Sequence, residues 1–492
     1  MDVVQRIQRR FFTEVLDLDP IADPPAPRAD WPSWENPTGC QLRVLSLNAW
    51  GLPVAPHCTE RAVEIANAID DSFDIVVLQE IWHRRERNII IWGAQKAGFE
   101  YYHYFQAATG FPIPFGADSF GTGLLVLSKY PIVSSMYYSF SLSGRPYALH
   151  EADYIANKGA GHLRVQTPVG EIDLYVTHLI ANYNHLGKPG PGDRYLPHRV
   201  TQAYELVRLI ANTARNDLVL VCGDFNSPSD CTVLRLPRDL LQIRDAFTDK
   251  NNHDGLTFAT EDNKFSHGDH PMRMDYILYK IAQSSSGEPG WQLHSSDVFK
   301  KFFVDDRGVE HPLSDHFGVV AEFVFGNRVH GLKPCQQALG ETSKESHSPV
   351  SKSLSSLRTC PTTTCIHCDE MKAKARDDDL SDDDTRTRIQ CLEEVERAII
   401  DGRKDALERR AGHLRRSGVS LMLFIVLSSL RLSSVLGVSW VILFPVLTHC
   451  FLEYYLAFFV VTLECSNFTE LMNQVRLHLN AEEVRQARIS SM

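Results

Sequence analysis

Between Gln41 and Phe325 the chain repeats one pattern, a short apolar run followed by a break into polar residues: "LRVLSLNAW", "FDIVVLQEIW", "GLLVLSKYPI", "EIDLYVTHL", "DLVLVCGDFN", "RMDYILYK" and "FGVVAEFVF". The runs are rich in β-branched residues and too short for helices, so they predict strands. Between them, "TERAVEIANAI" and "HRVTQAYELVRLIANTA" carry apolar residues at three-and-four spacing, which predicts amphipathic helices. The alternation predicts one large α/β domain. Residues before about Gln41 are Pro-rich ("DPIADPPAPRADWPSW") and are expected to wrap its surface.

The pattern stops after Phe325. Residues 328–388 are rich in Ser, Thr and charge, with the acidic stretch "RDDDLSDDD", and read as a disordered linker. A charged juxtamembrane helix is expected over 389–416. Residues 417–463 are apolar apart from a few positions such as Arg431, His449 and Glu453. A span needs about 20 apolar residues, so this stretch has room for two helices turning near Gly437 to Ser439; a single span from about Val435 is the alternative. Arg pairs before Ser417 and Arg476, Arg485 and Arg488 after the stretch favour a cytosolic location for both flanks. The expectation is therefore a two-helix membrane hairpin and a cytosolic tail over 464–492, with the large α/β domain facing the cytosol; the endoplasmic reticulum or plasma membrane is the expected location. Asn467 in "NFT" then stays unglycosylated.

The 492 residues exceed one ordinary domain, and the net charge of −11 argues against a broad nucleic-acid surface. Eleven scattered cysteines do not make a secreted disulfide framework. "MDVVQRIQRRFF" lacks a signal-peptide core.

The chemistry lies where the apolar runs end. "LSLN" delivers Asn48, "VVLQE" Glu80, "LYVTH" His178, "LVCGDFN" Asp224 and Asn226, "RMD" Asp275, and "LSDH" Asp315 and His316. An Asp or Asn at such a place often only starts a turn. So many carboxylates and imidazoles at separate apolar boundaries go beyond turn chemistry, because unpaired buried carboxylates are costly. They suit phosphate-ester hydrolysis: a hard cation held by one or two carboxylates, and a His held by a carboxylate to deprotonate water.

The order "LNxWG", "QE", "THL", "GDFN", "MDY", "SDH" resembles the endonuclease/exonuclease/phosphatase (DNase I-like) superfamily. "LSLNAWGLP", "GTGLLVLSKYPI", "YVTHLIANYN", "YLPHRVTQAYEL" and "PLSDH" more narrowly resemble the membrane-anchored neutral sphingomyelinases of animals. The resemblance implies a four-layer α/β sandwich over 1–327 and Mg²⁺-dependent hydrolysis of sphingomyelin to ceramide and phosphocholine, with Mn²⁺ as a substitute ion. Carried over, Glu80 is the principal Mg²⁺ ligand with Asn48 beside it, and His316 is the general base oriented by Asp275. Asp224 and Asn226 position water and phosphoryl group, His178 stabilises the transition state, and Asp315 supports the metal's water shell. Asp153 and Lys158 match a switch pair, with an ordinary surface pair as the alternative. Ile180 and Asn182 depart from the family's polar "THLHAEY" and are expected to alter head-group contacts. Lysophosphocholine lipids, or nuclease or phosphatase substrates, are alternatives. Activation by anionic lipid and oligomeric state stay open. Phe111, Phe115 and Phe120 could bind a quaternary ammonium or press into a bilayer, with core packing as the alternative. "CPTTTCIHC", Cys360 to Cys368, is too tightly spaced for an ordinary zinc finger.

Overall fold

The computed structural model describes residues 40–52, 55–106, 121–148, 151, 153–183, 192–266, 268–282, 288–326, 382–432 and 440–491. Phe111, Phe115, Phe120, the Cys360–Cys368 cluster, the 328–381 segment and the expected turn at Gly437 to Ser439 lie outside the described residues.

The strands are β1 (Gln41–Asn48), β2 (Ile75–Gln79), β3 (Tyr101–Tyr104), β4 (Leu125–Ser128), β5 (Ile132–Ser139), β6 (Gly159–Thr167), β7 (Gly170–His178), β8 (Leu218–Asp224), β9 (Arg244–Asp245), β10 (Asp275–Ile281), β11 (Gly290–Phe299), β12 (Phe302–Val304), β13 (Glu310–Pro312) and β14 (Gly318–Gly326). Two six-stranded mixed sheets form, in the orders β11-β14-β1-β2-β4-β3 and β5-β6-β7-β8-β10-β9. Each contains one parallel pair, β1 with β2 and β7 with β8.

The apolar runs show no helical stripe because their strands are covered on both faces. In β2, Ile75 and Val77 join the core shared by the two sheets, while Val76 and Leu78 pack under α1 (Cys58–Ala68) and α2 (Arg84–Lys96). In β8, Leu218, Leu220 and Cys222 face the shared core, and Val219 and Val221 face α4 (Leu196–Thr213) and α5 (Thr232–Leu241). The one-turn helix α3 (Asp153–Ala156) lies between β5 and β6.

The C-terminal helices are longer than expected. α6 runs unbroken over Asp382–Leu432, so the charged helix starts before residue 389 and continues into the apolar stretch. It is followed by α7 (Trp440–Tyr455), a π-helical turn over Leu456–Val460, and α8 (Val461–Ser491). The expected tail is thus helical. α6 and α8 pair antiparallel, through Arg388–Glu482, Arg476–Glu396 and Arg409–Glu464. Nor does the pair hang free on a linker. Cys391, Leu392, Val395, Ile399, Ala406, Phe468, Leu471 and Val475 share one core with Val200, Tyr204 and Val207 of α4. Gly402 makes the approach feasible: a Cβ there would lie 2.5 Å from the Phe468 ring and 2.6 Å from Pro197.

Candidate active site

The two parallel pairs bring strand ends to one edge. Register sets Asn48 opposite Gln79, directly before Glu80, and His178 opposite Asp224. Antiparallel β10 begins where β8 ends, so Asp275 also stands opposite Asp224. His316 arrives just before β14, whose Val319 pairs with Ser46 of β1.

Tight backbone turns aim these groups. Glu80 and Asn226 hold φ of 59° and 48°, left-handed values uncommon outside glycine. Gly51 N–H donates to Glu80 O at 3.0 Å, and a Cβ on Gly51 would come within 2.1 Å of that oxygen. The glycine of "LNAWG" is therefore needed for close approach. Asn226 N–H donates to Asp224 Oδ1 at 2.8 Å, and its Nδ2 to Leu179 O at 2.9 Å. Asn226 is an anchor of the "GDFN" turn as well as a rim residue.

His316 Nδ1 lies 2.9 Å from Asp275 Oδ2, both side chains buried, leaving Nε2 facing Asp224 Oδ2 at 3.9 Å. His178 Nε2 is 3.6 Å from the same oxygen and 3.9 Å from Glu80 Oε1. Asn48 Nδ2 bridges the carboxylates, donating to Glu80 Oε1 and Asp224 Oδ2 at 3.0 Å each. Its Oδ1 accepts from Trp50 N–H. In this arrangement Asn48 does not turn its oxygen toward the carboxylates, where a cation would sit. Ligation needs the amide turned over.

Burial and the charge of Asp275 push Asp224 up to about 7. Burial pushes Asp315 up to about 6, against the pull of His316. Burial lowers His316, but the charges of Asp275 and Asp315 outweigh it, and its pKa is raised well above the ordinary value. His178 is held well below the ordinary value by burial and by the charges of Lys158 and His316. It is therefore a neutral imidazole near pH 7.

Among the described residues, no hydrogen bond reaches the buried Glu80 Oε2 or Asp275 Oδ1. An orphaned carboxylate oxygen at Glu80, beside Asp224, fits a hard divalent cation, whose preferred ligands are oxygens. Asp224, Asp275 and His316 also offer ligand atoms within 4.8 Å of one another. His316 faces Asp275 through Nδ1 in a buried pair and keeps Nε2 turned toward Asp224, an arrangement that suits a base dyad.

Lys158 Nζ lies 2.9 Å from Asp153 Oδ1 with both side chains buried, so this is no surface pair. Asp153 Oδ2 accepts from Ala181 N–H at 3.1 Å and Tyr183 O–H at 2.9 Å. Ile180 is wholly buried.

One positioning residue was missed. Arg61 is buried, and its guanidinium donates to Ala49 O (2.6 Å), Trp50 O (2.7 Å) and Leu313 O (3.3 Å). It ties the "LNAWG" turn to the "SDH" loop. The available signal was an arginine on the apolar face of α1, four residues before Ile65.

Residues 45–316 match the model of the Endonuclease/Exonuclease/phosphatase family. The chain belongs to that family. Within it, sphingomyelin phosphodiesterase 2 of Mus musculus is 29% identical over 313 residues, 60% of this chain and 68% of that protein. The Homo sapiens counterpart is 30% identical over 57% of this chain and 64% of its own length. Inositol phosphosphingolipids phospholipase C of Schizosaccharomyces pombe is 35% identical over 38% of this chain and 41% of its own. Among solved structures, beta toxin from Staphylococcus aureus covers 57% of this chain and 99% of its own at 18% identity, with a TM-score of 0.45.

Proposed function

We propose that the chain is an Mg²⁺-dependent sphingomyelin phosphodiesterase that releases ceramide and phosphocholine. The observation that carries the reading is the meeting of Glu80, Asn48, His178, Asp224 and the His316–Asp275 dyad at one sheet edge. The named activities of the relatives support the substrate class.

Glu80 would hold the cation, with Asn48 joining once its amide is turned over and Asp315 supporting its waters. When bound, the ion supplies positive charge to the phosphoryl and leaving oxygens. His316 Nε2 takes a proton from the attacking water, and Asp275 holds the imidazole and stabilises its charge. The water oxygen bonds to phosphorus as the bond to the ceramide oxygen breaks; the ceramide oxygen takes a proton from solvent and His316 returns its own to solvent. Asp224 and Asn226 orient water and phosphoryl group. Neutral His178 donates from Nε2 to the developing charge. The buried Lys158–Asp153 pair is the proposed switch, and the Lys158 charge helps keep His178 neutral.

The test is head-group release from sphingomyelin and lysophosphocholine lipids in mixed micelles, with Mg²⁺, Mn²⁺ or chelator. Choline-phosphate release from sphingomyelin that chelator abolishes is expected; equal activity in chelator overturns the reading.

We read the two sheets and their outer helices as the four-layer sandwich, and α6–α7 as a membrane hairpin with cytosolic flanks. One described helical stretch, Ile442–Ser490, includes a segment long and apolar enough to cross a bilayer. Support for its partner comes from Ser417 Oγ donating to Cys450 O (3.0 Å) and from Ser420 Oγ and His449 Nδ1 at 2.8 Å, which run α6 and α7 side by side. A glycosylation tag after Met492 tests it: an unglycosylated tag cleaved by protease in sealed microsomes is expected, and a glycan there overturns the hairpin.

A further inference from the structure

A second cluster of metal-ligating side chains stands apart from the residues above. His57, Asp305 and His311 offer one ligand atom each, all within 4.8 Å of one another. Asp305 and His311 come from the hairpin β12–β13, and His57 is the N-cap of α1. We propose that these three residues bind a borderline-soft divalent cation, zinc first, and clamp the start of α1 to that hairpin.

The carboxylate is preset. Asp305 Oδ1 accepts from Arg307 N–H at 3.0 Å and Val309 N–H at 2.8 Å, which leaves Oδ2 3.2 Å from His311 Nε2. A local hairpin pair would need nothing more. The second imidazole comes from a distant part of the chain and lies with its centroid 4.7 Å from that of His311. Among the described residues no hydrogen bond reaches the His57 side chain, and it makes no capping bond to α1 although it occupies the cap position. Its backbone sits at φ 52°, ψ 28°, in the left-handed region. Phe303 lies beside both imidazoles and Phe265 stacks on His311, giving the cluster an apolar wall.

Two imidazoles and one carboxylate, with a fourth place for water, are a zinc donor set. Nitrogen ligands separate it from the oxygen-rich edge at Glu80, which suits Mg²⁺. The clamp would join the segments that Arg61 already joins: Arg61 lies in α1 and reaches Leu313 O, two residues past His311 and three before His316. Metal binding there stiffens the approach to the "SDH" loop without entering the reaction.

The experiment uses the full chain in detergent micelles with Cys360, Cys365 and Cys368 changed to Ser, in excess Mg²⁺. Zn²⁺ is titrated against a chromogenic chelator. One tight equivalent is expected, and H57A and H311A should each weaken it beyond the about 10–100-fold that loss of a supporting partner costs. Co²⁺ in place of Zn²⁺ should show visible ligand-field bands that both variants lose. Mg²⁺-dependent head-group release by the variants, measured without Zn²⁺, should match the parent and so report folding. Should H311A fail to fold, H57A carries the same comparison. No tight equivalent in the parent, or unchanged affinity in the folded variants, overturns the proposal.

Discussion

The sheet edge and the paired C-terminal helices both gather charge, and they treat it oppositely. At the edge, Glu80, Asp224, Asp275 and Asp315 crowd around two histidines, with orphaned oxygens and displaced pKa values. Along α6 and α8 the carboxylates at the packed faces meet cations: Glu394 with Arg235, Glu464 with Arg409, Glu482 with Arg388 and Arg485. Paired charge holds helices in register, whereas concentrated unpaired charge has to be completed by something from outside. That contrast separates a structural interface from a candidate reactive site. Beyond Ser417, α6 and α7 expose Val419, Met422, Phe444 and Phe451, a run of outward apolar side chains.

The contrast breaks most sharply at His316. H316A should lower kcat by about 10²–10⁴ and leave the helices docked. In the parent, activity should fall as pH drops through the raised pKa of His316 and protonates the base. D275N removes the charge that raises it, so the acid limb should move to lower pH on a reduced plateau. A pH–rate profile checks both, and an unmoved limb in D275N would separate Asp275 from the base.

The docked interface is next. Phe468 is wholly buried and sits edge-on to His198 at 5.5 Å. F468A should cost about 3–5 kcal/mol and speed hydrogen exchange in 382–410 and 461–480, while turnover on a soluble phosphodiester changes little. Equal loss of turnover would make the interface part of the catalytic unit.

Arg61 sharpens the comparison from the other side, as a buried cation that serves carbonyls and, among the described residues, no salt bridge. R61M orphans these carbonyls, at about 1–3 kcal/mol for each one left unsatisfied. A lower melting temperature together with slower turnover is expected, because the "LNAWG" and "SDH" loops both loosen.

The smallest effect concerns acid. His198 lies buried under α8, and burial with the charges of Arg145 and Arg409 pushes its pKa down to about 3. A group depressed on folding stabilises the docked state above its free value of about 6.5 and loses that contribution as pH falls toward 3. H198F should flatten the acid dependence of the hydrogen exchange just described.

Much of the edge could be read directly from the chain. Asn48, Glu80, His178, Asp224, Asp275 and His316 stand out because strands buried on both faces are almost wholly apolar, and any polar group at their ends is conspicuous. Asp153 and Lys158 were legible as residues but not as a buried pair, since burial depends on what packs above them. The docking of α6 and α8 was invisible for a related reason. A helix rich in Glu and Arg reads as solvated whether its charges meet water or one another, and only the facing helix decides which. Arg61 and the meeting of His57 with His311 are of the same kind. Local pattern determines which segments become strands and helices, because that preference is written over a few neighbouring residues. Distances between side chains far apart in the chain depend on how two sheets and their helices close on each other, and that closure placed Asn48's amide, not its oxygen, between the carboxylates.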